Sequence, residues 1–253
     1  MGVITTSRKP DENKLLHARQ LADHYGITYI PRKNCSISSL LTDEPWVLVV
    51  DSRGLSCHTG GGVLFFHPNM AAVRLRQLKS GQPDKMLLAM GLEEGQSVLD
   101  CTAGLCSDSL VAAWQTSEKG RVVALEQSLP VFLVVKTGLE RVKSESRFAA
   151  MAGRIELKHQ DFRNYLAKCP ANSFDVVYFD PMFDVPVDSA SMAPLRPLAG
   201  YLQLTSKDIQ AAARVARCRV VVKQRSFYDF SHLGLNRTLG SRSRTTAYGI
   251  LDL

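Results

Sequence analysis

From Ser97 onward the apolar positions alternate between short continuous runs and longer stretches at helical spacing. The runs are Ser97–Cys101, Val122–Leu125, Ile155–Leu157, Phe174–Phe179, Val220–Val222 and Thr245–Leu253. Between them lie helical patterns at Ser107–Trp114, Leu129–Val142, Phe162–Leu166 and Ser206–Ala216, the last with Ser206 as its cap. Runs apolar on both faces are those of central parallel strands with helices packed on either side. The pattern therefore predicts an α/β fold, a mostly parallel doubly wound sheet, over residues 67–253.

The first 66 residues read as a separate small α/β domain. Val3–Thr6 predicts a strand, Asp11–Tyr25 a helix closed by Gly26, and Ile27–Ile30, Trp46–Val50 and Val63–Phe66 further strands. Gly60-Gly61-Gly62 is not followed by Lys-Ser/Thr, so it reads as a hairpin turn or hinge and not as a phosphate loop. His67-Pro68-Asn69 then opens a helical stretch carrying Met70, Ala71, Val73, Leu75 and Leu78, which resumes over Met86–Met90 after Gly81. Arg74 and Arg76 lie on it, either as solvated charges or facing a site.

Composition narrows the class. The chain has 253 residues, 45% hydrophobic and 22% charged, as ordinary globular chains do. No apolar run approaches the roughly 18 residues of a membrane span, and Arg8, Lys9 and Asp11 interrupt any signal-peptide core, so the expected location is the cytoplasm with no membrane partner. None of the six cysteines forms a Cys-x-x-Cys pair, which predicts reduced, structural thiols and no metal site. The net charge of +7 is carried by the last quarter, where ten Lys or Arg face three Asp between Ala190 and Leu253. A basic end of this kind suits a polyanion such as RNA.

The chemistry-bearing residues stand at strand ends. Val176-Val177-Tyr178-Phe179 runs directly into Asp180, Pro181 and Phe183. This puts an acid, a stiff turn and a flat apolar face at the carboxyl end of a buried strand, where open α/β sheets bind ligands. Asp-Pro is also ordinary turn chemistry. After Ser97–Cys101, the small residues Thr102, Ala103 and Gly104, followed by Leu105, let a ligand approach the backbone closely. The absence of Gly-x-Gly-x-x-Gly argues against a dinucleotide. Glu126 ends the second strand, where a carboxylate can accept ribose hydroxyls, and Asp161 follows the third, where it can accept an exocyclic amine. Singly, such acids are more often caps or surface residues; three at successive strand ends describe a nucleoside site.

The run Asp100-Cys-Thr-Ala-Gly-Leu105 with Asp108, then Glu126, Asp161 and Asp180-Pro-Met-Phe183, resembles class I S-adenosylmethionine methyltransferases, and among them the RsmJ-like group that methylates guanine N2 of small-subunit ribosomal RNA. The resemblance covers about residues 60–253, including Val220-Val221-Val222-Lys223. It departs at Cys106 and Ser107, where those enzymes have Gly and Arg, and at Asp184, where they have Pro. It implies a Rossmann-like class I methyltransferase domain with S-adenosylmethionine held by Asp100, Thr102, Ala103, Gly104, Leu105, Asp108, Glu126 and Asp161. Asp180 and Pro181 would accept the amine N–H groups of a base stacked on Phe183, with Met182, Lys223 and Arg225 on the substrate side. RNA, ribosomal in particular, is the expected partner. Methylation of a small molecule or protein, and a noncatalytic nucleic-acid-binding role, are the alternatives.

Overall fold

The structure is a computed structural model that describes residues 2–32, 35–145, 148–181, 193–198, 203–240 and 246–253. Chain contacts divide these into two compact units. The first gathers the described residues of Met1–His67, Ser128–Arg141 and Val187–Gly200; the second gathers those of Pro68–Gln127, Val142–Pro186 and Tyr201–Leu253.

The first unit is built on strands β1 (Val3–Thr6), β2 (Thr28–Tyr29), β3 (Val47–Asp51), β4 (Gly54–Thr59) and β5 (Gly62–Phe65), in the order β2-β1-β3-β4-β5. β1 pairs in parallel with β2 and β3, while β3, β4 and β5 form an antiparallel meander. Helix α1 (Glu12–Tyr25) starts where Asp11 accepts the Lys14 N–H at 2.9 Å, and stops at Gly26 in the left-handed region (φ 65°). Gly60-Gly61 forms the hairpin turn between β4 and β5. Two elements had no periodic signal. Helix α2 (Ile37–Asp43) is a short seven-residue helix capped by Ser36, and β4 carries Ser56, His58 and Thr59 among its few apolar residues.

The second unit contains α3 (Asn69–Lys79), α4 (Lys85–Met90), β6 (Ser97–Asp100), α5 (Ser107–Gln115) and β7 (Arg121–Glu126). After α6 (Leu129–Glu145), which clusters with the first unit up to Arg141, come α7 (Ala149–Gly153), β8 (Ile155–His159), α8 (Phe162–Lys168), β9 (Phe174–Phe179), α9 (Ser206–Val215), β10 (Ala216–Arg225), β11 (Arg237–Gly240) and β12 (Thr246–Asp252). Its sheet runs β11-β12-β10-β9-β6-β7-β8. The strands from β10 to β8 are mutually parallel, and β12 and β11 add an antiparallel edge. This is a Rossmann-like, mostly parallel sheet, and its central strands are apolar because both faces are covered: Val98, Leu99, Val176, Val177, Phe179, Val220, Val221 and Val222 are each inaccessible to solvent. No helix among the described residues is long and apolar enough to cross a membrane.

Strand β10 extends beyond its three valines. A register shift between Ala216 and Arg219 lets Arg217 reach Asp175 with two bonds of 2.8 and 3.1 Å, which draws the Asp175 carboxyl down to about 2. β11, Arg-Thr-Leu-Gly, is an exposed edge strand without an apolar alternation to announce it. The cap of α9 is also one residue from its predicted place. Thr205 is extended (φ −119°, ψ 164°), and its hydroxyl and N–H form a reciprocal capping box with Asp208; Ser206 is already the first helical residue. Replacing Thr205 by Ala should lower stability in urea by about 1 kcal/mol, whereas Ser206→Ala should change it by less than half of that.

Candidate active site

Order reverses between β6 and β9: the chain leaves β6 towards β7 and β8, and leaves β9 towards β10. The crevice at the carboxyl ends of β6 and β9 is therefore the ligand position of an open α/β sheet. The loop after β6 is tied to three strands. Asp100, only 2% exposed, accepts the Thr102 N–H at 3.1 Å on one oxygen and the Ser109 hydroxyl at 2.5 Å on the other. The Thr102 hydroxyl accepts the Asp180 N–H at 2.6 Å, which joins the loop to the end of β9. The Ala103 N–H donates to the Leu125 carbonyl at 2.9 Å, and the Gly104 N–H to the Glu126 carboxylate at 3.0 Å, joining it to β7. Gly104 and Cys106 both adopt positive φ, 49° and 57°.

Beside Asp180 lies a chain of charges. Arg74, from α3, grips Asp84 at the start of α4 with two bonds of 2.7 and 2.9 Å and also donates to one oxygen of Asp108. The other oxygen of Asp108 accepts from the Tyr178 hydroxyl at 2.7 Å and from Lys223 at 3.1 Å, and Lys223 donates in turn to Asp180 at 2.7 Å.

A family model described as "Putative SAM-dependent methyltransferase" matches residues 28–232. The chain belongs to this S-adenosylmethionine-dependent methyltransferase family, in its RsmJ-like group. It is 38% identical over 256 residues to "Uncharacterized protein YpiP" of Bacillus subtilis, covering 99% of each chain. It is 30% identical over 219 residues to "Ribosomal RNA small subunit methyltransferase J" of Chromobacterium violaceum, covering 82% of this chain and 81% of that one. In fold it is similar to the methyltransferase NGO1261 of Neisseria gonorrhoeae, with TM-score 0.68 at 20% identity over 98% of this chain and 95% of that one.

The cofactor of this methyltransferase is S-adenosylmethionine. A Cβ placed on Gly104 would meet only the Thr102 carbonyl, at 4.0 Å, so the loop is open on that side. Glu126, at the end of β7, is a carboxylate of the kind that accepts paired hydroxyls. Asp161 caps α8 by accepting the Asn164 N–H at 2.9 Å. Leu105 and Gly104 are half-buried and Ala103 is buried.

Asp108, expected on the cofactor, has both of its oxygens engaged by Arg74, Tyr178 and Lys223. Lys223, expected on the substrate side, has its ammonium between two carboxylates. Tyr178, on the buried strand β9, is fully buried and its hydroxyl donates to Asp108. Arg225 ends β10 opposite Thr246, half-buried. Pro181 is buried, while Met182, Phe183 and Asp184 lie outside the described residues. The sequence left Arg74 open between a solvated charge and a residue facing the site, and the structure places it at the site. Its signal was its place on α3 beside Leu75 and three residues after Ala71, the buried face of that helix, whereas Arg76 is exposed.

Burial pushes the Asp100 carboxyl up to about 7, with the neighbouring Asp108 and Asp180 charges adding to it. Burial also raises Asp180 above the ordinary carboxylate range, assisted by Asp108 and opposed by Lys223. For Asp108, the Lys223 and Arg74 cations outweigh burial and hold it well below that range. The raised Asp100 gives a sign to stability: the folded form binds its proton more tightly than the unfolded chain, so this contribution is full below about pH 4 and is lost as pH rises through 7. Asp100→Asn keeps an acceptor for Thr102 without the charge. Its urea stability should match the parent near pH 4.5 and exceed it by a few kcal/mol, in order of magnitude, at pH 8.

Proposed function

We propose that this methyltransferase acts on an exocyclic amine of an RNA base, guanine N2 in ribosomal RNA, with the Asp180 carboxylate as an acceptor of the amine N–H. The observation that carries this is the placement of Asp180: its backbone is clamped to the cofactor loop through Thr102, and its side chain, 29% exposed, opens at the switch point of the sheet. In this reading Glu126 takes the ribose hydroxyls, Asp161 the adenine amine, and Thr102 to Leu105 the surrounding backbone contacts, while Asp100 keeps the loop in shape.

Held by Glu126, Asp161 and the Thr102–Leu105 backbone, S-adenosylmethionine would supply a sulfonium methyl carbon open to attack by the amine nitrogen, with a thioether as the leaving group and the amine proton passing along its hydrogen bond to the Asp180 carboxylate. An aromatic exocyclic amine is a poor nucleophile because its lone pair is delocalised into the ring. Two acceptors, the Asp180 carboxylate and the Pro181 carbonyl, draw its N–H groups out of the ring plane and direct the lone pair outward. This is orientation together with stabilisation of developing positive charge. Phe183 supplies the stacking face. Further aromatic surface stands past the end of β10, where Phe227 is 77% exposed at a φ of 71°, a conformation unfavourable for a bulky residue. The names of the ribosomal RNA methyltransferases it resembles and the basic last quarter support a nucleic-acid substrate.

The test compares methyl transfer to unmodified ribosomal RNA with transfer to guanosine and small amines, and identifies the product by nucleoside mass spectrometry. Transfer to RNA with N2-methylguanine as product is expected; methylation of the small amines alone would replace this reading with a small-molecule enzyme. Asp180→Ala should lower kcat by roughly 10²-fold or more while cofactor affinity in calorimetry stays near the parent value. Glu126→Ala should instead weaken that affinity by roughly tenfold or more. Near-normal turnover in Asp180→Ala would remove Asp180 from the mechanism.

A further inference from the structure

Parallel register places Lys223 beside Asp180. Val222 pairs with Phe179, so the next residues, Lys223 on β10 and Asp180 after β9, stand level on neighbouring chains. The Lys223 ammonium donates to Oδ2 of Asp180 at 2.7 Å and to Oδ2 of Asp108 at 3.1 Å. Oδ1 of Asp108 is taken by Arg74, whose guanidinium fork closes on Asp84. The result is a line of alternating charge, Asp84, Arg74, Asp108, Lys223, Asp180, with side chains between 10% and 29% exposed, that crosses two helices and ends on one carboxylate at the sheet's switch point. Stability alone does not explain such a line, since a buried ion pair is often no better than well-packed apolar side chains of similar volume. Its terminus does.

We propose that Lys223 is a positioning residue for methyl transfer: it holds Asp180 by Oδ2 and ionised, so that Oδ1 is presented to the amine, and Asp108 with Arg74 holds Lys223. The proposal rests on the reading that Asp180 accepts the amine N–H. A neutral carboxylic acid has a proton of its own to donate and is the weaker acceptor, so the charge state matters as well as the direction. The groups facing Asp180 divide unevenly. Asp108 from α5 and Asp100 from β6 favour its protonation, as does burial; Lys223 from β10 and Arg74 from α3 oppose it; Tyr178 from β9 and Tyr248 from β12 are neutral phenols held well above their ordinary range. Lys223 is the one of these that bonds directly to the Asp180 side chain. Removing its charge leaves a buried carboxylate next to Asp108, and the acid form takes over.

Lys223→Met, Lys223→Arg and Asp180→Ala in the full chain test this by two readouts: the pH dependence of kcat/KM with RNA, and, in the lysine variants, titration of the Asp180 carboxyl carbon by NMR without cofactor. For Lys223→Met the acid limb and the carboxyl titration should both move up by at least one pH unit. Activity should then fall about tenfold at a pH one unit below the parent's limb and about twofold one unit above it, and recover towards pH 9. Lys223→Arg should restore most of the parent profile, and cofactor affinity by calorimetry should stay within about twofold in both. A purely structural lysine would lower activity evenly at all pH values. An unmoved limb and titration in Lys223→Met overturns the proposal, and if that variant does not fold, an unmoved limb and titration in Lys223→Gln overturns it equally. Failure of the underlying reading is separate: it shows as near-normal turnover in Asp180→Ala, whereas an inactive Asp180→Ala beside an unmoved Lys223→Met profile sinks only the role of Lys223.

Discussion

Two carboxylates, Asp108 and Asp180, share the ammonium of Lys223 at 3.1 and 2.7 Å, and the architecture around the site follows from keeping that arrangement charged out of bulk water. Like charges at such separation push protons onto each other unless cations intervene. Lys223 alone would balance one of them. Arg74 supplies the second cation, and its own grip on Asp84 fixes it against the start of α4, where Asp84 also accepts the Met86 and Leu87 N–H groups at 3.0 and 3.1 Å. One carboxylate thus caps a helix and anchors the arginine that stabilises the site.

The loop after β6 is organised by the same economy of short acidic side chains. Asp100 faces inward and holds the loop through Thr102 and the helix after it through Ser109, while Glu126 faces the loop from the next strand and takes the Gly104 N–H. Thr102 completes the circuit by accepting from Asp180. The loop after β6 and Asp180 are therefore one hydrogen-bonded object, and a shift of either displaces the other. Cys106 extends it in an unusual way. It is fully buried and left-handed at the head of α5, a conformation for which Gly is favoured, so the loop keeps its path at some backbone cost.

Much of this was legible in the sequence because the responsible forces are local. Apolar runs of Ser97–Cys101, Val122–Leu125 and Phe174–Phe179 need two covered faces, and that requirement leads to a doubly wound sheet whatever the details of packing. The motifs Asp-Cys-Thr-Ala-Gly-Leu and Asp-Pro-Met-Phe, at the ends of such runs, lead to a methyltransferase. Short polar elements were not legible: β4 and β11 are held by ladder bonds to the strands next to them in the chain, and α2 by a single cap, with no period of their own.

What the sequence determined by itself was which residues stand at strand ends, and so the candidates Asp100, Glu126 and Asp180. The tertiary structure decided what they touch. Asp108 and Lys223 are 115 residues apart, and no local pattern distinguishes a lysine on phosphate from one buried between carboxylates. Parallel register brings Lys223 level with Asp180, and the packing of α3 on α5 brings Arg74 to Asp108. Charge pairing depends on distances of a few ångströms, which only the folded chain sets.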